Sequence, residues 1–588
     1  MISALITSLL VSLNARALVL TSAPTFTPAS AAPLAGTLKV STDVASRVSV
    51  SVMEGTNTWR HTFLDYGTTH SLPLLGFKPG RTNFITVTAL DRYRNAVTAP
   101  QPLLFVSPAL PDAFPKSVLL ASQPAKMEPG YTLFRLTNLG GRGFLTMVDN
   151  FGDVVWYSTA TSGVEVRQLP NGNLFLPLAT NFSEINLLGQ PVRSLIAPPG
   201  LAIDVHDAVP TSHGTVLYIN DDSIDLPNFP AYTTKPGAPL VTVHAAFNNI
   251  VEISAVSGNL LNRWSLLDIV DPYRTTYLTY SSGVLDLQHA NAVIEDPSDD
   301  SIIVSMRHQN AIIKFDRAGK LKWILGAHDN WGLAFQPYLL KPVGSPFAWS
   351  YGQHAPMITP QGTLLVYDDG NFRADPFFVS VANKDNYSRP VEYSINQQTM
   401  EVSQVWDYSG TNGPSADRLF TALMGNADWL PQTGNVLVNY SWVSYENGAP
   451  PNPSAPGAAM LRIKEVTHDQ PAEVVFDLAF FDYTTTDHNF TGSYAYRSHR
   501  VPDLYSTLPA PVEDLVVQNK DGNALLWFSG NDTKTYTVQA SSDLQQWEDI
   551  GEAEGTGEGN FEFTDFNSSG NAVRYYRVIT GGYQQPGE

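Results

Sequence analysis

His289 and Arg307 are the pair with the clearest chemical potential in this chain. Between them stands Asp296-Pro297-Ser298-Asp299-Asp300, a strong turn signal. The runs on either side, 292–295 and 301–305, are apolar and β-branched, which predicts a hairpin. Folding it about Ser298 sets His289 opposite Arg307. A histidine beside an arginine at the open end of a hairpin can hold an oxyanion such as sulfate or phosphate. The imidazole is then available for proton or group transfer, because histidine titrates near ~6.5.

The elements that must position this pair recur along the chain. An apolar approach, a short turn around Gly or Asp and an apolar strand appear at 168–176, 209–218, 296–300, 359–365 and 430–437. Aromatic residues close the units: Trp156, Trp264, Trp323, Trp406 and Phe476. Four strands per unit, and a sixth unit expected at 494–504, predict a six-bladed β-propeller. His206-Asp207, His289, Gln353-His354 and Asn426 each precede their turns, at the start of an innermost strand. In a propeller those starts converge at one mouth of the channel, so three imidazoles and one amide face each other. Arg307 returns to the same end, and Asp368 and Asp369 return beside His354 by the same hairpin logic.

Of the 12 histidines, His213, His308 and His499 lack this equivalence and are expected at the surface or in packing. Strand alternation turns His308 away from Arg307 and keeps Asp207 off the face of His206. Three facing histidines also make a zinc-type donor set. A guanidinium beside His289 would repel a cation, so neither a metal nor another cofactor is expected. No Gly-x-Ser-x-Gly elbow, phosphate-binding loop or His-Glu-x-x-His motif is present.

The whole chain fits an all-β reading. It has 588 residues, 42 Gly, 42 Pro and 11 % aromatics, which favours many short strands and tight turns. A net charge of −20 argues against nucleic acid or anionic membranes as partners. Zero cysteines exclude disulfides and thiolate chemistry. The apolar run 2–13 and Ala15-Arg16-Ala17 make residues 1–20 an expected signal peptide, although no Lys or Arg precedes the run. Export to the periplasm or beyond follows, and no later run is long enough to span a bilayer. Residues 21–36 are expected to be a linker. Residues 37–110 are expected to form an N-terminal sandwich of immunoglobulin or fibronectin III type, which Asp91 with Asn95 closes. The propeller takes 114–508, and a fibronectin III-like sandwich takes 510–588, with Trp527 and Tyr536 in its core.

These residues carry a resemblance. His289-x-Asn291, Ser305-x-Arg307-His308-Gln309-Asn310-Ala311-Ile312-Ile313-Lys314 and Trp323-Ile324-Leu325-Gly326 resemble the bacterial aryl-sulfate sulfotransferases that use no nucleotide sulfate donor. Gln353-His354, Asp368-Asp369-Gly370-Asn371-x-Arg373, Val405-Trp406-Asp407-Tyr408 and His206-Asp207 fit the same pattern. The resemblance covers most of 114–508 and the small sandwich before it. It implies an exported six-bladed propeller with an N-terminal sandwich. It implies His354 as the nucleophile, holding the sulfuryl group as a sulfohistidine. It gives His206, His289 and Arg307 the sulfuryl oxygens and proton exchange with phenolic oxygens, and Asn291 a further hydrogen bond. The substrates implied are small aryl sulfates and phenols. Asp369 stands where the family often has Asn, and a disulfide found in some members is impossible here. A sulfate-ester hydrolase with the same pocket, or a non-catalytic propeller binding glycans or proteins, stays open, as does a homodimer.

Overall fold

The computed structural model describes residues 17–580, apart from 93–94, 139, 160–162, 234, 281–284, 411–416, 452–459, 481–491, 506–514, 521, 531–534, 558 and 569–572. The expected signal peptide lies almost wholly outside them. The regular structure of the described chain is nearly all β; its one α-helix is the single turn Leu266–Ile269. No helix among the described residues is long and apolar enough to cross a membrane. The chain divides into two compact units: Met1–Ala109 with Thr507–Glu588, and Leu110–Ser506.

In the first unit, the long strand Gly36–Glu54 pairs with Asn57–Leu74 and with Thr82–Asp91 in a six-stranded sheet. Asp91 and Asn95 close its last turn through backbone and side-chain hydrogen bonds. The stretch expected to be a linker is not one: Thr25–Pro28 pairs in register with Gly36–Lys39. Phe26 explains this, because it packs edge-on against buried Phe77 and Phe105. The C-terminal part forms two small sheets. Its core holds Tyr536 as expected, but Phe528 instead of Trp527, since Leu526 and Phe528 share the inner face of their strand. Arg47, buried in the N-terminal part, donates to Gly559 O at 3.1 Å, so the two parts are joined.

The second unit contains six sheets among the described residues, antiparallel except where Leu285–Asp286 and Lys341–Pro342 add short parallel edges. Five contain the hairpin that the repeats predict. Their turns place Gly172, Gly214, Gly362 and Gly434 at positive φ, and Asp300 adopts the same conformation in the remaining one. The expected sixth unit is different. Ser498–Val501 does not start a new sheet; it pairs with Tyr131–Asn138 as the inner strand of the first. Ser117–Ser122 conversely joins the outer edge of the last sheet. Both chain ends of this unit are thereby tied into sheets made elsewhere.

Successive sheets share cores. Leu217, Ile219 and Ile250 of the third sheet pack with Val293, Ile302 and Val304 of the fourth, whose opposite face packs Ile303 and Ile312 against Val366 and Val391 of the fifth. Strands buried on both faces explain the near-continuous apolar runs. The outer-strand aromatics fasten neighbouring sheets. The indole N–H of Trp156 reaches Leu187 O (2.7 Å), that of Trp264 reaches Arg317 O (3.0 Å), and that of Trp406 reaches Asp469 O (3.3 Å). Each acceptor lies in the last turn of the following sheet.

Candidate active site

The starts of the inner strands meet through side chains. The rings of His206 and His289 are 4.9 Å apart. Tyr496 stands edge-on to His206 at 5.7 Å and to His354 at 6.2 Å. The three expected imidazoles therefore do come together, around an aromatic residue that precedes Ser498–Val501.

Each of the three rings is held at Nδ1 by a carboxylate. Asp204 Oδ1 lies 2.6 Å from His206 Nδ1, Asp286 Oδ2 lies 2.7 Å from His289 Nδ1, and Asp369 Oδ2 lies 2.6 Å from His354 Nδ1. Asp204 and Asp286, held below the ordinary carboxylate value by these hydrogen bonds, only accept, so at His206 and His289 Nδ1 carries the hydrogen and Nε2 keeps its lone pair when the ring is neutral. The first two carboxylates also accept the backbone N–H of their own histidine. For His289 this supports a backbone at φ +48, a conformation costly for a residue with a side chain. Asp369 was legible from the hairpin. Asp204 and Asp286 were not, although a carboxylate two or three residues before each histidine was the available signal.

Arg307 lies opposite His289 as predicted, its N–H donating to His289 O at 3.1 Å. The strand ends at Met306, however, and Arg307–Gln309 is a 3-10 turn. Alternation no longer applies there, which corrects the placement of His308. Its ring stacks on His289 at 4.5 Å, and its Nε2 lies 3.1 Å from Arg307 Nη1.

Asn291 is fully buried, and one N–H of its Nδ2 donates to Gln353 O at 2.8 Å, which fixes the chain before His354. One further expectation is corrected. Asn426 exchanges hydrogen bonds with the backbone of Ser498 and donates to Asp428, so its amide joins two sheets.

Residues 116–494 match the arylsulfotransferase (ASST) family over more than half the chain. The chain belongs to the arylsulfotransferase family. It is 28 % identical over 298 residues to arylsulfate sulfotransferase AssT of Escherichia coli O6:H1 (strain CFT073), covering 42 % of this chain and 47 % of that one. It is 29 % identical over 298 residues, with the same coverage, to arylsulfate sulfotransferase AssT of Lelliottia amnigena. The alignment thus spans about half the length of these curated relatives. A solved protein of unknown function from Bacteroides caccae is similar at 12 % identity and a TM-score of 0.36, over 63 % of this chain and all of that one.

In this chain the histidines differ in charge. Burial disfavours the charged form of His206, but its hydrogen bond to Asp204 and that carboxylate's charge outweigh this and raise it. Burial lowers His289, aided by the charges of His206 and Arg307 and opposed by its hydrogen bond to Asp286. Burial pushes His354 well below the ordinary histidine range, reinforced by Arg307 and His289. Burial also pushes Asp369 up, against the pull of Arg307. His354 is accordingly uncharged near neutral pH. Asp286, His289 and His308 place donor atoms within 4.8 Å of one another, a set that could hold a divalent cation. The Nδ1 atoms of both rings are already engaged by Asp286, through its carboxylate and its backbone carbonyl.

Beneath the site lies a charged network that the sequence reading missed. Arg497 pairs with Asp207 at 3.0 Å and donates to Asn291 O at 2.7 Å, where the Tyr496 hydroxyl also donates. His499 is not a packing residue; it lies between Asp428 (2.7 Å) and Glu165 (3.0 Å). Burial opposes its charge, but the two carboxylates raise it to about 9. Its contribution to stability is therefore fully present below the ordinary value of ~6.5 and is lost as pH rises through about 9. Denaturant unfolding should show about 3 kcal/mol lost across this window. His499→Gln should flatten that slope; an unchanged slope would place the titration elsewhere.

Proposed function

We propose that this arylsulfotransferase moves a sulfuryl group from an aryl sulfate ester to a phenol, through a sulfohistidine on His354 and without a nucleotide donor. The observation that carries the reading is the set of three carboxylate-held imidazoles gathered beside half-buried Arg307. His354 Nε2 attacks sulfur while the S–O(aryl) bond breaks, and the electron pair leaves on the phenolate. Charged His206 delivers a proton to that oxygen. As Nε2 becomes sulfated the ring turns cationic, and Asp369 on Nδ1 stabilises it. In the second half His206, now neutral, takes the proton of the incoming phenol. The new S–O bond forms, the S–N bond breaks, and its electron pair returns to Nε2. Arg307 and His289 stabilise charge on the peripheral oxygens, as a loose transition state requires. Asn291 acts as a positioning residue that holds the chain before His354.

The same reading takes the six sheets as blades of a propeller whose inner strands surround this site. It takes the flanking parts as immunoglobulin- or fibronectin III-like sandwiches, and the protein as exported. The test is 4-nitrophenyl sulfate with and without phenol. Phenol-dependent release of nitrophenol with ping-pong kinetics supports transfer. Sulfate release without phenol would make the protein a hydrolase.

One consequence concerns the leaving group. An unactivated phenol has a pKa about 10, like tyrosine, and needs an acid to depart. Nitrophenolate needs little help. His206→Asn should therefore slow phenyl sulfate by about 100-fold or more and 4-nitrophenyl sulfate by under about tenfold. Equal losses on the two donors would remove His206 from proton transfer.

A further inference from the structure

Among the described residues, His308 is the imidazole against Arg307 and His289 that the reaction above does not use. Two hydrogen bonds of its ring define a single protonation state. A guanidinium only donates, so Nε2, facing Arg307 Nη1 at 3.1 Å, must offer a lone pair. A carbonyl only accepts, so Nδ1, 3.0 Å from Asp286 O, must carry the hydrogen. Protonating this ring would break its contact with Arg307. Burial, together with the neighbouring His289, lowers it to about 3, so it stays uncharged throughout the working range.

The second anchor of Arg307 is neutral too. Nη2 donates to Ala422 O at 3.0 Å, the same oxygen that accepts from Asn371 Nδ2. Its Nε is buried without a protein acceptor among the described residues. No carboxylate lies within ion-pair distance of Arg307 among the described residues. Three buried arginines of the same unit differ: Arg497 pairs with Asp207, Arg389 with Asp368, and Arg462 with Asp477. Those guanidiniums are neutralised by the groups that hold them. Arg307 is held without a carboxylate in direct contact, and Asp369 and Asp286 act on its charge only from further off.

We propose that His308 is a positioning residue of the anion site, a neutral acceptor that fixes the Arg307 guanidinium without cancelling its charge. Its ring face and Nδ1–H at the same time set His289 and Asp286, so one side chain aligns both oxyanion-binding groups. The assignment rests on the reading above only in taking Arg307 as the group that meets the sulfuryl oxygens.

The probe is 4-nitrobenzenesulfonate, whose carbon–sulfur bond prevents transfer. Its affinity is measured by calorimetry on the full chain, with thermal unfolding as the check on folding. His308→Gln offers an amide oxygen to Arg307 and should bind within about threefold of wild type. His308→Phe keeps a ring against His289 but no acceptor, and should bind about tenfold more weakly. His308→Glu keeps an acceptor but pairs with the guanidinium, and should bind at least about 100-fold more weakly. Folded His308→Phe protein that binds like wild type would overturn the proposal. So would His308→Gln falling as far as His308→Phe, or His308→Glu binding like His308→Gln. If His308→Glu does not fold, the Gln and Phe pair still decides. Turnover of 4-nitrophenyl sulfate is followed in parallel. Binding in the expected order without wild-type turnover would sustain the role of His308 and sink the transfer reading alone.

Discussion

His354→Ala should lower kcat for sulfuryl transfer by at least ~10,000-fold while leaving a folded protein. His354 is almost fully buried and begins an inner strand, and Asp369 holds it at 2.6 Å. Truncation leaves a ring-sized space and one buried carboxyl without its partner. That costs stability of about 1–3 kcal/mol, moderated because burial already favours the neutral acid at Asp369. The kinetic loss is far larger, since the step that divides the transfer in two no longer exists. Added imidazole separates a nucleophile from a merely electrostatic role. It can occupy the space, attack the donor and release nitrophenol, so partial rescue in the alanine variant is the expected result. A variant of Asp204 or Asp286 should show no such rescue, because its histidine remains in place. Near-normal turnover by folded His354→Ala protein would leave a binding protein as the better reading.

The sequence showed this site unevenly, for physical reasons. The hairpin carrying His289 and Arg307 was legible because turn residues and β-branched runs specify it locally. His206, His289 and His354 were legible because repeats place them at equivalent strand starts. His499 occupies an equivalent start as well, but its strand belongs to a sheet formed over 300 residues earlier in the chain, at Tyr131–Asn138. No local pattern announces that pairing. Tyr496 and Arg497 were missed with it. His308 was misplaced for the opposite reason: the period-two rule was carried one residue past Met306, where the strand had already ended. The linker reading of 21–36 failed because Phe26 supplies the single large apolar anchor that a short edge strand needs. Ala- and Pro-rich composition outweighed it in the sequence.

Arg307→Met should lower kcat/KM by about 1,000-fold, and Arg307→Lys by about 100-fold. The guanidinium is planar and holds two fixed anchors, His308 Nε2 and Ala422 O, with Nε–H left over. Lysine restores a positive charge but not this geometry. Its shorter ammonium must choose between the anchors and the sulfuryl oxygens, and a buried ammonium is harder to desolvate than a guanidinium. Methionine removes the charge and leaves His308 Nε2 without its donor. How the loss divides between KM and kcat is the informative part. If charge builds on the peripheral oxygens at the transition state, Arg307 binds that state more tightly than the bound donor, and kcat carries most of the loss. If Arg307→Met raised KM and left kcat intact, the guanidinium would bind donor and transition state alike. Stabilisation of the transferring group would then fall to His289 and His206, and the pH profile of the methionine variant would follow those two rings alone.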